Sequence, residues 1–418
     1  MGGGLQALSG HTFTLRSPIM HLQISFLGKS QLDSRTGYRP ARYRFDDSEV
    51  IETAFFGLAL VRKMKPDRLL LLGTAGSMWD VLVENQIDDD RLEAERLALI
   101  DAVRENHVTD ELLAPLADVI GERVGCPVEL RVIPYGRDAA EQAQILDTVA
   151  RVVSATKVRE VMLDVTHGLR HLPMLALVAA FYLQHVARVD VADILYGALE
   201  MMTEEGAPVL SLRGLLAGME WIEALSAYDR DGDYGVFVPL LQTAGLADAP
   251  LQHLRRAAHA ERVFNHQYAA QELRNFLPHL EAGLPGMAAL FAPHLKDRIA
   301  WAQQHDPHRR LAAIARERLA HGDFVHCAIA ACSGFLASLA QRGERLSDYD
   351  THIKIEEAFR QGQRGNPDLR DTYEELKRLR NALAHGTPPR NGDTRYTLAD
   401  PERLQERLQL LLEELLPG

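Results

Sequence analysis

Cysteine is scarce in this sequence. The 418-residue chain has three, Cys126, Cys327 and Cys332, an odd number with no CxxC spacing, which excludes a disulfide framework and a zinc knuckle and points to a reducing cytoplasm. Long apolar runs are missing too. The longest, Leu172 to Leu183, carries a proline at its start and falls well short of the roughly 20 residues that span a bilayer. Positive charge is outweighed: 46 Lys and Arg face 58 Asp and Glu, a formal net charge of −12. Coating a duplex by phosphate neutralisation needs clustered cations, so duplex DNA is not an expected partner, although a local basic site is compatible with this balance. Neither GxGxxG nor GxxxxGK[ST] occurs, which disfavours a dinucleotide dehydrogenase and a P-loop NTPase. No cluster of ligating residues suggests a metal.

What is present reads as two domains. Hydrophobic residues make up 46% and charged residues 25%, ordinary for globular protein, and the length exceeds what one core usually supports. Residues 1–20 lack a basic segment followed by an apolar core and are expected to be a disordered extension, not a signal peptide. From residue 21, short Val/Ile/Leu runs alternate with helical stretches, the pattern of a Rossmann-like parallel sheet flanked by helices. Strands are expected at His21–Leu27, Arg68–Leu72, Val128–Ile133, Val161–Val165 and Asp193–Tyr196, and helices at Ser48–Met64, Asp138–Ser154 and Leu172–Ala187. Asp88–Arg91 reads as a solvated turn. Beyond about Gly214 the β signal fades and apolar residues recur at three- and four-residue spacing. The expectation is an α/β domain over 21–215 and an all-α domain over 216–418, with Ala217–Pro250 a linker and Pro401–Leu416 a closing helix.

Ligands of such sheets sit beyond the carboxyl ends of the strands. Three loops there offer backbone amides and hydroxyls: Gly28-Lys29-Ser30, Gly73-Thr74-Ala75-Gly76-Ser77, and Thr166-His167-Gly168 with Arg170. Glycine lets the backbone approach a phosphate closely, and a following helix presents its positive end. Asp164 reads as a brace for its turn.

Phe26-Leu27-Gly28, Tyr43, Gly73-Thr74-Ala75 and above all Asp164-Val165-Thr166-His167-Gly168-Leu169-Arg170-His171-Leu172-Pro173 resemble the CARF domain of type III CRISPR accessory proteins, over residues 21 to 200. The resemblance implies a cyclic oligoadenylate as allosteric ligand, bound across the two-fold axis of a dimer, with cyclic tetra-adenylate favoured and cyclic hexa-adenylate the alternative.

In the helical half, a metal-free ribonuclease would need a group that moves protons near neutrality and a cation for the phosphorane, roles that suit His and Arg. Arg-x-x-x-x-His occurs at Arg16/His21, Arg274/His279, Arg316/His321 and Arg380/His385. The first straddles Pro18 and has no helix, the second contains Pro278, and the third reads as structural, on a helix whose neighbouring residues fit a solvated or an interface face. Arg380-Asn381-Ala382-Leu383-Ala384-His385 closes a helix and runs into Gly386 and Pro388-Pro389, a good helix stop. On an ideal helix the two ends of this motif lie about 140° apart, so they converge best across a dimer cleft.

Arg-Asn-x-x-x-His at the end of a helical domain resembles the signature of HEPN ribonucleases, chiefly over residues 310 to 390. The resemblance implies His385 as general acid or base, Arg380 on the scissile phosphate and Asn381 positioning the 2′-hydroxyl, with 2′,3′-cyclic phosphate products and no cofactor. The expectation is thus a homodimeric, cyclic-oligoadenylate-activated endoribonuclease for single-stranded RNA, with higher oligomers open. Two alternatives stand beside it: a non-catalytic nucleotide-sensing regulator, and a ring nuclease using Thr166, His167 and Lys29.

Overall fold

A computed structural model describes residues 20–29, 40–46, 49–86, 92–341, 343–344, 348–386 and 389–417. The expected extension, Ser30 and the turn at Asp88–Arg91 lie outside the described residues. The chain divides into two compact units, 1–216 and 217–418.

In the first unit the described strands are β1 (His21–Leu27), β2 (Ala41–Arg44), β3 (Val50–Thr53), β4 (Arg68–Gly73), β5 (Val128–Val132), β6 (Glu160–Asp164), β7 (Asp190–Gly197) and β8 (Ala207–Ser211). They form one sheet in the order β3-β2-β8-β7-β6-β1-β4-β5. From β7 to β5 every pairing is parallel; β8 then runs antiparallel to β7, β2 parallel to β8 and β3 antiparallel to β2. The helices are α1 (Phe56–Met64), α2 (Trp79–Gln86), α3 (Glu93–Glu105), α4 (Asp110–Val124), α5 (Ala139–Thr156) and α6 (Leu172–His185). Strand alternation assigns the two faces. Leu22, Ile24 and Phe26 of β1 join Val149, Val153, Ala176 and Ala180 of α5 and α6 in one core. Leu69 and Leu71 of β4 join Leu58 of α1, Leu82 of α2 and Leu113 of α4 in another.

Five strands follow the sequence pattern to within a few residues. The expected helix from Ser48 does not: Val50-Ile51-Glu52-Thr53 is β3, because its β-branched residues suit a pleated edge, and the helix starts at Phe56. Strands β2 and β8 went unread, one flanked by arginines and the other interrupted by Pro208, a residue that sequence reading takes as a strand breaker. Helices α2, α3 and α4 fill what looked like a long connection.

The second unit is helical, as its periodicity implies. Its elements are α7 (Arg213–Asp231, which begins in the first unit), α8 (Val238–Thr243), α9 (Asp248–Arg262), α10 (His266–Glu281), α11 (Met287–Ile299), α12 (Pro307–Ala320), α13 (Phe324–Leu339), α14 (Tyr349–Arg360), α15 (Arg370–His385), α16 (Gly392–Leu398) and α17 (Pro401–Leu415). Ala217–Pro250 is not a linker. Trp221, Tyr228, Tyr234 and Phe237 sit in the core with Phe276, Phe335 and Leu408, and the Trp301 indole N–H donates to the Tyr234 hydroxyl at 3.0 Å. Gly232, with φ +67°, follows the end of α7 and admits a turn in which Asp233 Oδ1 accepts the Gly235 N–H at 2.8 Å.

Candidate functional site

Strand β1 lies between β6 and β4, the place where chain connections depart in opposite directions and a doubly wound sheet opens a crevice at its carboxyl edge. The loops after these three strands meet there. A Cβ on Gly28 would lie 2.4 Å from the Gly168 nitrogen, so the two backbones touch and only glycine fits at the first position. Gly168 itself has φ +113°, which L side chains rarely adopt. The β4 loop is tied in as well: Ser77 Oγ donates to the Leu27 carbonyl at 2.8 Å, and Met78 N–H donates to the Gly28 carbonyl at 3.1 Å.

Many of the hydroxyls expected to face a ligand are occupied inside the protein. Thr74 and Ser77 are buried; Thr74 N–H donates to Ser77 Oγ at 2.8 Å, and the Trp79 indole donates to the Thr74 carbonyl at 2.9 Å. Thr166 N–H donates to Asp164 Oδ1 at 2.9 Å while its Oγ1 accepts the Gly197 N–H at 2.8 Å. The ring of His167 accepts the Phe56 N–H at 3.1 Å through Nε2, capping the amino end of α1, and burial lowers its pKa to about 4. It is therefore neutral at pH 7 and faces the protein interior. Exposed at the rim are Lys29, Gly168, Leu169 and Arg170, with Ala75 half-buried and Gly76 buried beside them.

Beneath the loops is a buried polar group that braces them. Gln23, Ser25 and Asp164 are essentially inaccessible. Gln23 Nε2 donates to Ser25 Oγ at 3.0 Å and to the Gly57 carbonyl at 2.7 Å. Burial raises the Asp164 pKa to about 6, and its Oδ2 lacks a hydrogen-bond partner among the described residues. The brace expected of Asp164 is thus literal: it orders the turn through the Thr166 amide.

The loop after β5 belongs to this edge and escaped sequence reading. Tyr135 OH donates to Asn106 Oδ1 at 3.4 Å, and His171 Nε2–H donates to the Tyr135 carbonyl at 2.8 Å. A Cβ on Gly76 would strike Asn106 Oδ1 at 2.1 Å. Looking past β5 as past the other strands would have found Pro134-Tyr135-Gly136.

In the second unit α15 carries Arg380, Asn381 and His385 and ends at Gly386, whose φ of +59° makes the left-handed helix stop. Tyr373, Leu376 and Leu379 bury one side of the helix. Arg380 is half-buried next to the buried Cys332 of α13, whose thiol burial pushes up to about 12. Its Nε is buried without a hydrogen-bond partner, and among the described residues Arg380 makes no ion pair. Its neighbours do: Arg360 Nε lies 2.7 Å from Glu374 Oε1, and Lys377 pairs with Glu356. Asn381 and His385 are exposed. Of the other Arg-x-x-x-x-His arginines, Arg16 lies outside the described residues, and two are committed to carbonyls, Arg274 to Ala302 at 2.8 Å and Arg316 to Leu416. Among the described residues no three His, Cys, Asp or Glu side chains converge as a metal site requires, and no helix is long and apolar enough to cross a membrane.

Comparison with known proteins places the first unit. Residues 22–200 match the family described as CRISPR system endoribonuclease Csx1, CARF domain. The chain is 26% identical over 223 residues to the CRISPR-associated protein MJ1674 of Methanocaldococcus jannaschii, an alignment covering 49% of this chain and 35% of that protein. It thus spans about a third of that relative's length. Csm6 of Enterococcus italicus, bound to cyclic hexa-2'-fluoro-hexa-dAMP, aligns over 96% of this chain and 95% of its own at 12% identity and a TM-score of 0.42. The Asp-Val-Thr-His-Gly turn lies at the switch point of the sheet inside the matched stretch, so residues 22–200 are similar to a CARF domain, and both matches support a type III CRISPR accessory protein.

Proposed function

We propose that this protein is a homodimeric endoribonuclease of the HEPN type, switched on by a cyclic oligoadenylate at the CARF loops and cutting single-stranded RNA without a metal. The observation that carries the catalytic half is Arg380. In a chain with net charge −12, an arginine with an unsatisfied buried Nε, the Cys332 thiol as its side-chain partner and no carboxylate partner among the described residues is a site kept for an anion, because such a charge is costly to bury otherwise. Arg380 holds the scissile phosphate, Asn381 orients the ribose, and His385 exchanges a proton at the reacting oxygens. The 2′-oxygen attacks the adjacent phosphorus and the 5′-oxygen leaves, giving a 2′,3′-cyclic phosphate and a 5′-hydroxyl. DNA lacks the nucleophile and resists.

Two features support the sensing half. The rim of Lys29, Gly168 and Arg170, with Gly28 and Gly76 buried beside it, brings backbone and modest positive charge to a phosphate ring, with cyclic tetra-adenylate the favoured activator. On α6, Met174, Val178 and Tyr182 recur every fourth residue and remain exposed, Met174 at 72%, an apolar stripe that suits a partner subunit. His167, neutral and capping α1, does not suit a ring nuclease's proton transfer.

The test is cleavage of a fluorescent single-stranded RNA by wild type and His385→Ala in EDTA, alone and with cyclic tri-, tetra- or hexa-adenylate. Activity that appears with one ring and is lost in the variant supports the reading; no cleavage with any ring turns it toward a non-catalytic regulator.

A further inference from the structure

Helices α14 and α15 run past each other with their polar faces in register. On α14, His352, Glu356 and Arg360 are successive i, i+4 neighbours on one face; on α15, Glu374, Lys377 and Arg380 follow one another at i, i+3. The first rung joins Arg360 Nε to Glu374 Oε1 at 2.7 Å, with Arg360 also 3.3 Å from Glu356. The second joins Glu356 to Lys377. One turn further along both helices the spacing continues to His352 and Arg380, and the Arg380 charge acts on the His352 ring. The start of α14 is fixed by Asp348, whose Oδ2 accepts the Thr351 hydroxyl at 2.6 Å and its N–H at 3.3 Å, so His352 stands on an anchored first turn.

From this ladder, and resting on the ribonuclease reading above, we propose that His352 is a second catalytic histidine, the general base that takes the 2′-hydroxyl proton at the phosphate held by Arg380, while His385 is the acid. The motif on α15 supplies one histidine per subunit, and it sits about 140° around its own helix from Arg380, so within one subunit the Arg380 side lacks a proton acceptor from the motif. In-line displacement needs one proton acceptor beside the nucleophile and one donor beside the leaving group. His352 meets the first need on the Arg380 side. The proton of the 2′-hydroxyl passes to the His352 ring as the 2′-O–P bond forms; the P–O5′ bond breaks and the 5′-oxygen takes a proton from His385. Both rings return to their starting states by exchange with water.

The surroundings keep His352 in the form a base requires. Burial lowers its proton affinity, and Arg380 and Lys377 on α15 lower it further, against the opposite pull of Glu356 on its own helix. The ring is thus neutral at pH 7, ready to accept.

The experiment is single-turnover cleavage by the full chain with cyclic tetra-adenylate or cyclic hexa-adenylate, whichever activates wild type, using a normal RNA and one with sulfur in place of the bridging 5′-oxygen. A thiolate leaves without a proton, so this substrate removes the need for an acid and leaves the need for a base. His352→Ala and His352→Gln are each expected to slow cleavage of both substrates by about 100-fold or more. Their melting temperature and affinity for a 2′-deoxy analogue should stay within twofold of wild type in Kd, and the acid limb of the rate–pH profile should vanish. His385→Ala should lose about as much on the normal RNA and regain most of it on the sulfur substrate. Cleavage within threefold of wild type in either His352 variant, or a defect that the sulfur substrate erases, overturns the assignment while the ribonuclease reading stands. Wild type that cuts neither substrate with either ring overturns the ribonuclease reading, and this role with it.

Discussion

The two candidate sites of this chain are built on opposite principles. At the carboxyl edge of the CARF sheet, Thr74, Ser77, Thr166 and His167 spend their hydrogen bonds on the protein itself, and what remains outward is glycine backbone and a few long cations. On α15 the backbone is closed in a helix and the chemistry is in side chains, among them a half-buried arginine with no carboxylate partner among the described residues. A site made of backbone is shaped by packing and tolerates changes in side-chain chemistry poorly only where a Cβ intrudes. A site made of side chains fails one atom at a time. The first arrangement suits recognition of a large ring by shape, the second suits proton and phosphate chemistry.

That contrast can be broken or sharpened in order of effect. The largest change is expected at the buried pair Arg318–Glu261, both side chains at most 5% exposed: Arg318→Ala strands a buried carboxylate and should cost about 3–5 kcal/mol, read as a lower melting transition for the helical unit with cyclic oligoadenylate affinity preserved. Next, Arg380→Ala should slow activated RNA cleavage by about 10²–10³-fold with unchanged stability, and Arg380→Lys should not restore it, because a point charge cannot fork onto a phosphate. A stability loss matching the rate loss would instead make Arg380 structural.

A third test concerns the buried brace and uses pH. Asp164, raised to about 6 by burial, binds a proton in the folded state that the unfolded chain, near pKa about 3.9, has released; its contribution to stability falls as pH rises from about 4 to 6. His167, lowered to about 4 by burial, does the reverse, because the unfolded imidazole near about 6.5 binds the proton that the folded one rejects. Its contribution rises over about pH 4 to 6.5. The two are each on the order of 3 kcal/mol and opposed, so they nearly cancel each other in this window. Asp164→Asn should leave the histidine contribution uncompensated, so that stability rises more steeply than in wild type between pH 4.5 and 6.5 in denaturant titrations; a variant with the wild-type slope would refute the opposition. Gly28→Ala drives a Cβ into the Gly168 backbone and should weaken activator binding about 30-fold or about 2 kcal/mol, measured calorimetrically; Lys29→Ala should do less. Smallest of all, Arg137→Ala removes an exposed i, i+4 pair with Glu141 and should leave melting and binding unchanged.

Much of this was legible from the residues. The parallel strands announced themselves because both faces of a central strand are apolar, and Asp164 through Arg170 stood out because a Gly-bearing turn after a strand has few other uses. The mixed edge was not legible: β2, β3 and β8 are short, polar on one side and bounded by Pro208 or arginines, so their pairing depends on partners far away in the chain. Ala217–Pro250 was misread for the same reason. It reads as a linker until Trp221, Tyr228 and Tyr234 are seen in one core with residues of distant helices such as Phe276, Phe335 and Leu408. The orientation of His167 was likewise closed to sequence, since the Phe56 amide it caps is 111 residues away.

The sequence by itself determined the two-domain plan, the parallel heart of the sheet, the helical second half and the motif at the end of α15, because periodicity, turn residues and caps act over a few neighbouring residues. Tertiary structure alone decided which of the named side chains face outward, that Thr74, Ser77, Thr166 and His167 serve the protein's interior, and that Arg380 has no carboxylate partner among the described residues. Those outcomes follow from which distant backbone amides and carboxylates come within hydrogen-bond reach, and in a folded chain that is settled by packing rather than by adjacency.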